Sequence, residues 1–114
     1  EVKYDGEPVY QPVDGTDLVY INNTGSTVLV SGGLYYLVEE GVWYVSASPN
    51  GPWQVSDHRP AQVDTILPTS PVYNTKYVYV YDSTPSVVYV GYTPGYVGSY
   101  VYRNTIFYGK FLVK

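Results

Sequence analysis

The sequence of 114 residues contains no cysteine and no methionine, and it has a single histidine, His58. Without cysteine there is no disulfide framework, and the usual structural zinc sites are excluded. No apolar run reaches the roughly 18 residues of a membrane-spanning helix. The net charge of −4 argues against a nucleic-acid partner, whose phosphates need a basic surface. We expect a chain that begins at Glu1 to be a processed chain or a fragment.

Good helix formers are also scarce. Ala, Leu, Glu, Lys, Gln and Arg supply only 21 of the 114 residues, whereas Val, Ile, Thr, Tyr, Phe and Trp supply 52. Valine alone accounts for 20 and tyrosine for 16. This balance favours strands, and turn residues interrupt the chain at short intervals. The sequence predicts an all-β, antiparallel, meander or sandwich-like fold of about eight to ten short strands, with essentially no helix.

The domain organisation follows from proline and glycine. Residues 1–16 contain Pro8, Pro12 and two Asp-Gly pairs, so they are predicted to form an extended N-terminal arm or an edge strand. Residues 17–114 are predicted to form a single β domain. The stretch 57–71 is polar and broken by proline, and it leaves open a subdivision into two small sheets joined there.

One predicted hairpin surrounds the three-residue loop 39–41, whose final glycine suits a left-handed backbone. In this register Val38 faces Val42 and Leu37 faces Trp43. Leu37, Trp43, Tyr35 and Val45 then share one face, and Val38, Val42, Tyr36 and Tyr44 share the other. Since neither face is polar, we expect both to be covered.

A second hairpin alternates valine with tyrosine. Pairing Tyr81 with Val87 places the valines on one face as a core surface and the tyrosines on the other. The candidate assembly face comprises Tyr77, Tyr79, Tyr81, Tyr89 and Tyr92. The predicted core comprises Val19, Ile21, Leu29, Leu37, Trp43, Val45, Val78, Val80, Val88, Val90 and Val101.

Two long motifs carry a resemblance. They are the segment 43–53 (WYVSASPNGPW) and the segment 77–96 (YVYVYDSTPSVVYVGYTPGY). Residues 34–102 resemble a poorly characterised family of bacterial secreted or surface proteins, some of which carry a loose carbohydrate-binding label. The resemblance implies an extracellular β-rich protein without a known activity. After Tyr102 the chain departs from the family pattern.

Signals for enzymatic chemistry are weak. His58 lies in a loop between Asp57 and Arg59, and no G-x-S-x-G nucleophile elbow is present. The adjacent Glu39 and Glu40 lie at a hairpin tip, whereas a glycosidase needs opposed carboxyl groups across a cleft. We therefore expect a non-enzymatic protein.

The N-terminal segments offer a candidate calcium site, because Asp5, Glu7, Asp14 and Asp17 cluster hard oxygen ligands. The alternative is plain turn formation, which Asp-Gly pairs favour. No other cofactor is predicted. Asn22 begins an N-x-T pattern for glycosylation on a predicted loop.

Two functions from different classes remain. The first is an extracellular structural subunit that self-assembles through strand edges and the tyrosine face, because charge is nearly absent from residues 66–102. The arm 1–16 either adds a strand to a neighbouring copy or folds back onto its own chain. The second is a carbohydrate-binding module, with extracellular glycans as partners. Its candidate sugar platform comprises Tyr44, Trp53, Tyr96, Asn50, Gln54 and Asp57, although the tryptophans also suit the hairpin core.

Overall fold

The fold is described from a computed structural model, which covers residues 2–83, 87–92 and 108–113. Two antiparallel sheets account for its strands, and two short 3-10 segments are its helical turns. This confirms the predicted all-β fold. The strands are β1 (Tyr10–Pro12), β2 (Val19–Ile21), β3 (Thr27–Ser31), β4 (Leu34–Glu39), β5 (Val42–Ser46), β6 (Gln54–Val55), β7 (Val78–Ser83), β8 (Val87–Tyr92) and β9 (Tyr108–Val113); the 3-10 segments are Ala61–Thr65 and Tyr73–Tyr77.

The first six strands form a meander in chain order, and β7, β8 and β9 form a second, three-stranded sheet. The six-stranded sheet has two apolar faces. Its front face carries Tyr20, Leu29, Tyr36, Val38, Trp43 and Val45, and its back face carries Ile21, Val28, Leu37, Tyr44 and Val55, as the cross-strand pairs require. Burial on both faces confirms that the β4–β5 hairpin is covered on both sides.

The register of that hairpin differs from the prediction by one residue. Val38 pairs with Trp43 and Leu37 pairs with Tyr44, so Leu37 and Trp43 lie on opposite faces. The turn consists of Glu40 and Gly41, both with positive φ, at 52° and 77°. Such a two-residue turn matches the twist of the strands, but its first position is usually Asn or Gly. A glutamate at this position therefore did not indicate a two-residue turn.

The front face is covered by residues 61–80. Val63, Ile66, Val72 and Val78 of this segment are buried against Trp43 and its neighbours. The stretch 57–71, predicted only as a connector, thus also supplies core residues. Val13 and Leu18, likewise absent from the predicted core, are 1% exposed in the same cluster.

The arm folds back onto its own chain. Val2 is buried against the back face, Tyr4 forms a bridge with Thr24, and its hydroxyl donates to the carbonyl of Pro49. Further along, β1 pairs with β2 as an edge strand. The arm of this chain is therefore an integral part of the six-stranded sheet.

The valine surface of the second sheet is buried as predicted, since Val78, Val88 and Val90 are 0% exposed. Val80 pairs with Val90 rather than with Val88, a two-residue shift, and a bulge follows at Tyr81. A shift by two residues keeps the same side chains on each face. Val42, Tyr44 and Val55 of the first sheet pack against this surface.

Most of the predicted core is confirmed. Ile21, Leu29, Leu37, Trp43, Val78, Val88 and Val90 are buried, while Val45 and Val80 are partly buried against the core. Val19 is wrong in this list, because it lies in the short strand β2 and keeps partial exposure. Val101 lies outside the described residues.

Candidate functional site

A concave surface lies between the end of β5 and β6, which follows it in the chain. A groove of about 530 Å³ opens there. Its lining residues are Leu34, Val45, Ser46, Ala47, Ser48, Gly51, Pro52, Gln54 and His58. A second depression of about 370 Å³ shares Val45 and Gln54 with it and extends to Asp57. The lining combines apolar side chains, among them Val45 and Pro52, with polar ones such as Gln54 and His58.

The turn 46–52 forms one wall of the groove. The Ser46 hydroxyl accepts the backbone N–H of Ser48 at 3.0 Å, and the Ser48 hydroxyl accepts that of Asn50 at 3.2 Å. Gly51 has a φ of 84°, and a Cβ there would lie 2.9 Å from the Trp53 ring. Glycine is therefore required for the backbone to pass so close to this indole.

The opposite wall carries a hydrogen-bonded chain of three side chains. His58 Nδ1 lies 2.8 Å from Asp57 Oδ1, and His58 Nε2 lies 3.0 Å from the hydroxyl of the buried Tyr36. With Nδ1–H donating to the carboxylate, Nε2 accepts the Tyr36 proton. Burial, followed by the charge of Asp57, raises the pKa of Tyr36, so its phenol remains protonated.

Ser56 completes this loop but does not serve as a nucleophile for His58. Its hydroxyl donates to the carbonyl of His58 and accepts the His58 backbone N–H. A Ser-His-Asp triad instead needs the hydroxyl proton on the imidazole. The Ser56 hydroxyl thus fixes the backbone of the loop 56–58. The contact of His58 with Tyr36, 22 residues away in the chain, could not be predicted from the sequence.

The candidate sugar platform is not one surface. Tyr44 and Trp53 pack with the back-face cluster around Leu37, whereas Gln54 pairs with Val45 on the front face. Asn50 is exposed in the turn and Asp57 lines the second depression, while Tyr96 lies outside the described residues. The indole Nε1 of Trp53 is buried without a hydrogen-bond partner among the described residues.

The candidate calcium residues lie in two turns. Gly6 and Gly15 have φ of 89° and 82°, as the alternative of turn formation requires. The side chain of Asn23 donates to the carbonyls of Asp5 and Glu7 at 3.0 and 2.8 Å. Asp5, Glu7, Asp14 and Asp17 are all exposed. Nowhere in the described part of the chain do three His, Cys, Asp or Glu side chains form a group able to hold a metal ion.

Asn22 is exposed beside β2, and its backbone N–H donates to the carbonyl of Val9 at 3.0 Å. This places the N-x-T pattern at the surface. Modification of Asn22 stays a prediction.

The five residues of the candidate assembly face take different positions. Tyr77 ends a 3-10 segment and donates to the Tyr73 hydroxyl at 3.4 Å. Tyr79 lies in β7 under the Arg59 guanidinium, 4.7 Å from its ring centroid. Tyr92 pairs with Val78 and therefore lies on the valine surface of the second sheet, and Tyr81 lies at the bulge. The side chains of Tyr81, Tyr89 and Tyr92 lie outside what the structure describes.

The edge strands of the six-stranded sheet are short. β1 has three residues, including Pro12, and β6 has two. On β7 the carbonyl of Val78 accepts hydrogen bonds from Trp43 Nε1 and Arg59 Nη1. Short strands and prolines are devices that keep strand edges from pairing with other chains.

Comparison of the chain with known protein families, curated proteins and solved structures finds no match. The resemblance to a secreted bacterial family stays a prediction. Within residues 2–83, 87–92 and 108–113, no helix has the length and apolar character needed to cross a membrane.

Proposed function

We propose that this chain is a non-enzymatic structural domain of a secreted or cell-surface protein that associates with copies of itself through one face of its three-stranded sheet. The observation that carries the proposal is the register of that sheet. Tyr89 pairs with Phe111, and Tyr79 pairs with Gly91, which in turn pairs with Gly109. Cross-strand partners share a face, so these positions lie on the face of the sheet opposite the valine surface.

The chemistry of these positions suits a contact between proteins. Aromatic residues supply a large contact area at low cost in side-chain entropy. Two glycines in register beside Tyr79 leave space for a partner's ring. The strand positions described on this face carry one charge, Asp82, which pairs with Tyr89. The Arg59 guanidinium adds a second charge over the Tyr79 ring. A face of this composition favours association more than solvation.

The face, rather than the strand edges, is the proposed contact. Strand addition needs a free row of backbone groups, whereas both edge strands of the six-stranded sheet are short and β1 contains a proline. The arm that would supply a donated strand is already paired with β2. The proposed contact face is centred on Tyr79, Tyr89 and Phe111.

The test is a double substitution, Tyr89→Lys with Phe111→Lys. The matched control is Tyr10→Lys with Leu34→Lys, which charges two exposed apolar residues of the other sheet, at 46% and 37% exposure. In sedimentation velocity and negative-stain microscopy, the wild-type chain and the control should form the same assemblies, and the face variant should remain monomeric. Circular dichroism establishes that each variant keeps its strands. A monodisperse wild-type chain, or unchanged assemblies of a folded face variant, contradicts the proposal.

A second candidate, carbohydrate binding, is favoured by the groove beside β6. Pro52, Val45 and Leu34 offer apolar contact to the C–H face of a pyranose, and Gln54 offers a partner for its hydroxyl groups. The His58 ring, held by Asp57 and Tyr36, lines the groove beside them. On a glycan array, Gln54→Ala and His58→Ala should each reduce binding. Gln11→Ala, at the opposite edge of the sheet, should not. Absence of binding by the intact chain excludes this candidate.

A further inference from the structure

Two tyrosines from distant strands meet through their hydroxyl groups on the back face. The phenol oxygens of Tyr10 in β1 and Tyr35 in β4 lie 3.1 Å apart. In the sheet, β2 and β3 lie between their strands. The side chains therefore reach toward each other across the sheet, and each reactive ortho carbon is only two bonds from its hydroxyl oxygen.

The pair is accessible to reagents in solution. Tyr10 is 46% exposed, and Tyr35 is partly exposed. The hydrogen bond to Tyr35 raises the pKa of Tyr10 to about 12, so the Tyr10 phenol is protonated at neutral pH. An oxidant can therefore reach a phenol whose hydroxyl group is hydrogen-bonded to a second phenol.

The sequence also lacks the groups that usually react first with oxidants. There is no thiol and no thioether, because cysteine and methionine are absent. Of the two tryptophans, Trp43 is 0% exposed, and Trp53 is partly buried with its indole Nε1 inside the protein. The exposed Tyr10 phenol is therefore among the first groups that an oxidant in solution meets.

We propose that Tyr10 and Tyr35 form a site of oxidative cross-linking, at which a one-electron oxidant such as a peroxidase with hydrogen peroxide joins the two rings as dityrosine. Each phenol loses one electron and its hydroxyl proton, which gives two phenoxyl radicals. The radicals couple through a carbon–carbon bond between ortho positions, and the two displaced ring hydrogens return to the oxygens. The net change is the loss of two hydrogen atoms, as two protons and two electrons accepted by the oxidant.

The cross-link would fasten the arm permanently. β1 is a three-residue edge strand, and its partner strand in the sheet is β2. A covalent bond from Tyr10 to Tyr35 closes a chain loop that contains β2 and β3, which lowers the entropy of the unfolded state as a disulfide does. This inference needs only the fold of one chain and is independent of the proposed self-association.

The test uses photo-oxidation of the dilute chain with tris(bipyridyl)ruthenium and persulfate, followed by intact mass and proteolysis before aspartate. The cleavage separates residues 5–13, which contain Tyr10 as their sole tyrosine, from residues 17–56. We expect monomers lighter by two hydrogen atoms, dityrosine fluorescence, and a cross-linked peptide pair in which fragmentation assigns Tyr10 to Tyr35. The cross-linked chain should unfold at a higher urea concentration.

Conservative variants separate this pair from the other tyrosines. Tyr10→Phe and Tyr35→Phe should each abolish the cross-linked pair without disturbing the fold. Tyr20→Phe, in the strand beside β1, should retain it. Oxidation in denaturing urea should also abolish it, since the two phenols then no longer meet. If fragment 5–13 remains unlinked in the folded wild-type chain, or is linked to another tyrosine, the proposal is wrong.

Discussion

The indole Nε1 of Trp43 donates a hydrogen bond of 2.8 Å to the carbonyl oxygen of Val78. Both residues are 0% exposed, and they belong to different sheets. Arg59 Nη1 donates to the same carbonyl at 2.9 Å, so both lone pairs of this oxygen are used. This contact fixes the second sheet against the first.

Trp43→Phe should destabilise the protein by about 2 to 4 kcal/mol. The change removes a buried hydrogen bond and leaves a cavity where the indole packed. Urea unfolding monitored by circular dichroism measures it. Trp53→Phe is the matched control, because its Nε1 has no partner among the described residues. We expect that variant to lose less than about 1 kcal/mol, and an equal loss would contradict the role given to the Trp43–Val78 bond.

Arg59→Lys should cost about 1 to 2 kcal/mol, although it keeps the charge. The guanidinium bonds the carbonyls of Lys76 and Val78, pairs with Asp64 and covers the Tyr79 ring. An ammonium group cannot make the same planar set of contacts. Asp64→Asn should cost less than about 1 kcal/mol, because the Asp64 side chain is 66% exposed and surface ion pairs contribute little. Urea unfolding of both variants measures these losses, and Arg59→Lys should lose more stability than Asp64→Asn.

Glu40→Asn should stabilise the protein by roughly 0.5 to 1 kcal/mol. Glu40 has a φ of 52° in the β4–β5 turn, a region that asparagine adopts more readily than glutamate. Thermal unfolding measures the gain. Glu39→Asn makes the same chemical change one residue earlier, within β4 and paired with Val42, and should bring no gain. Equal effects at both positions would mean that charge, and not backbone conformation, is responsible.

Stability should fall between about pH 10 and pH 12. The pKa of Tyr10 is raised to about 12 in the folded chain by its hydrogen bond to Tyr35, against 10.0 for a free phenol. A raised pKa means that the folded state holds the proton more tightly, so its contribution is complete below pH 10 and is lost above. Phenolate absorbance of the wild type and of Tyr35→Phe tests this. The variant should lose the group that ionises near pH 12.

Composition and alternation were enough to predict the fold class and the buried valine surface. β-branched residues at alternate positions favour a strand that buries one face. The register of β4 and β5 was not predictable, because it depends on Glu40 taking a left-handed conformation. Val63, Ile66 and Val72 were missed for a different reason. They lie in a proline-broken stretch with no periodicity, and only its docking on the front face buries them.

The groove illustrates what sequence cannot reveal about a site. Gln54 and Asp57 were candidate binding residues, and the structure places both at concave surfaces beside β6. Tyr44 and Trp53 were grouped with them by proximity in the chain, yet alternation and pairing send these two side chains to the back face. The partnership of His58 with Tyr36 depends on a loop approaching a neighbouring strand, which no local pattern encodes.

The chain order of the six-stranded sheet has a consequence for biosynthesis. Each strand from β2 onward pairs with the strand made just before it, so the meander can grow strand by strand as the polypeptide emerges, with only short loops to close. Its front face, however, is covered by residues 61–80. Until that segment has been synthesised, Tyr36 and Trp43 face solvent, and a nascent chain halted near residue 60 is the species most in need of a chaperone.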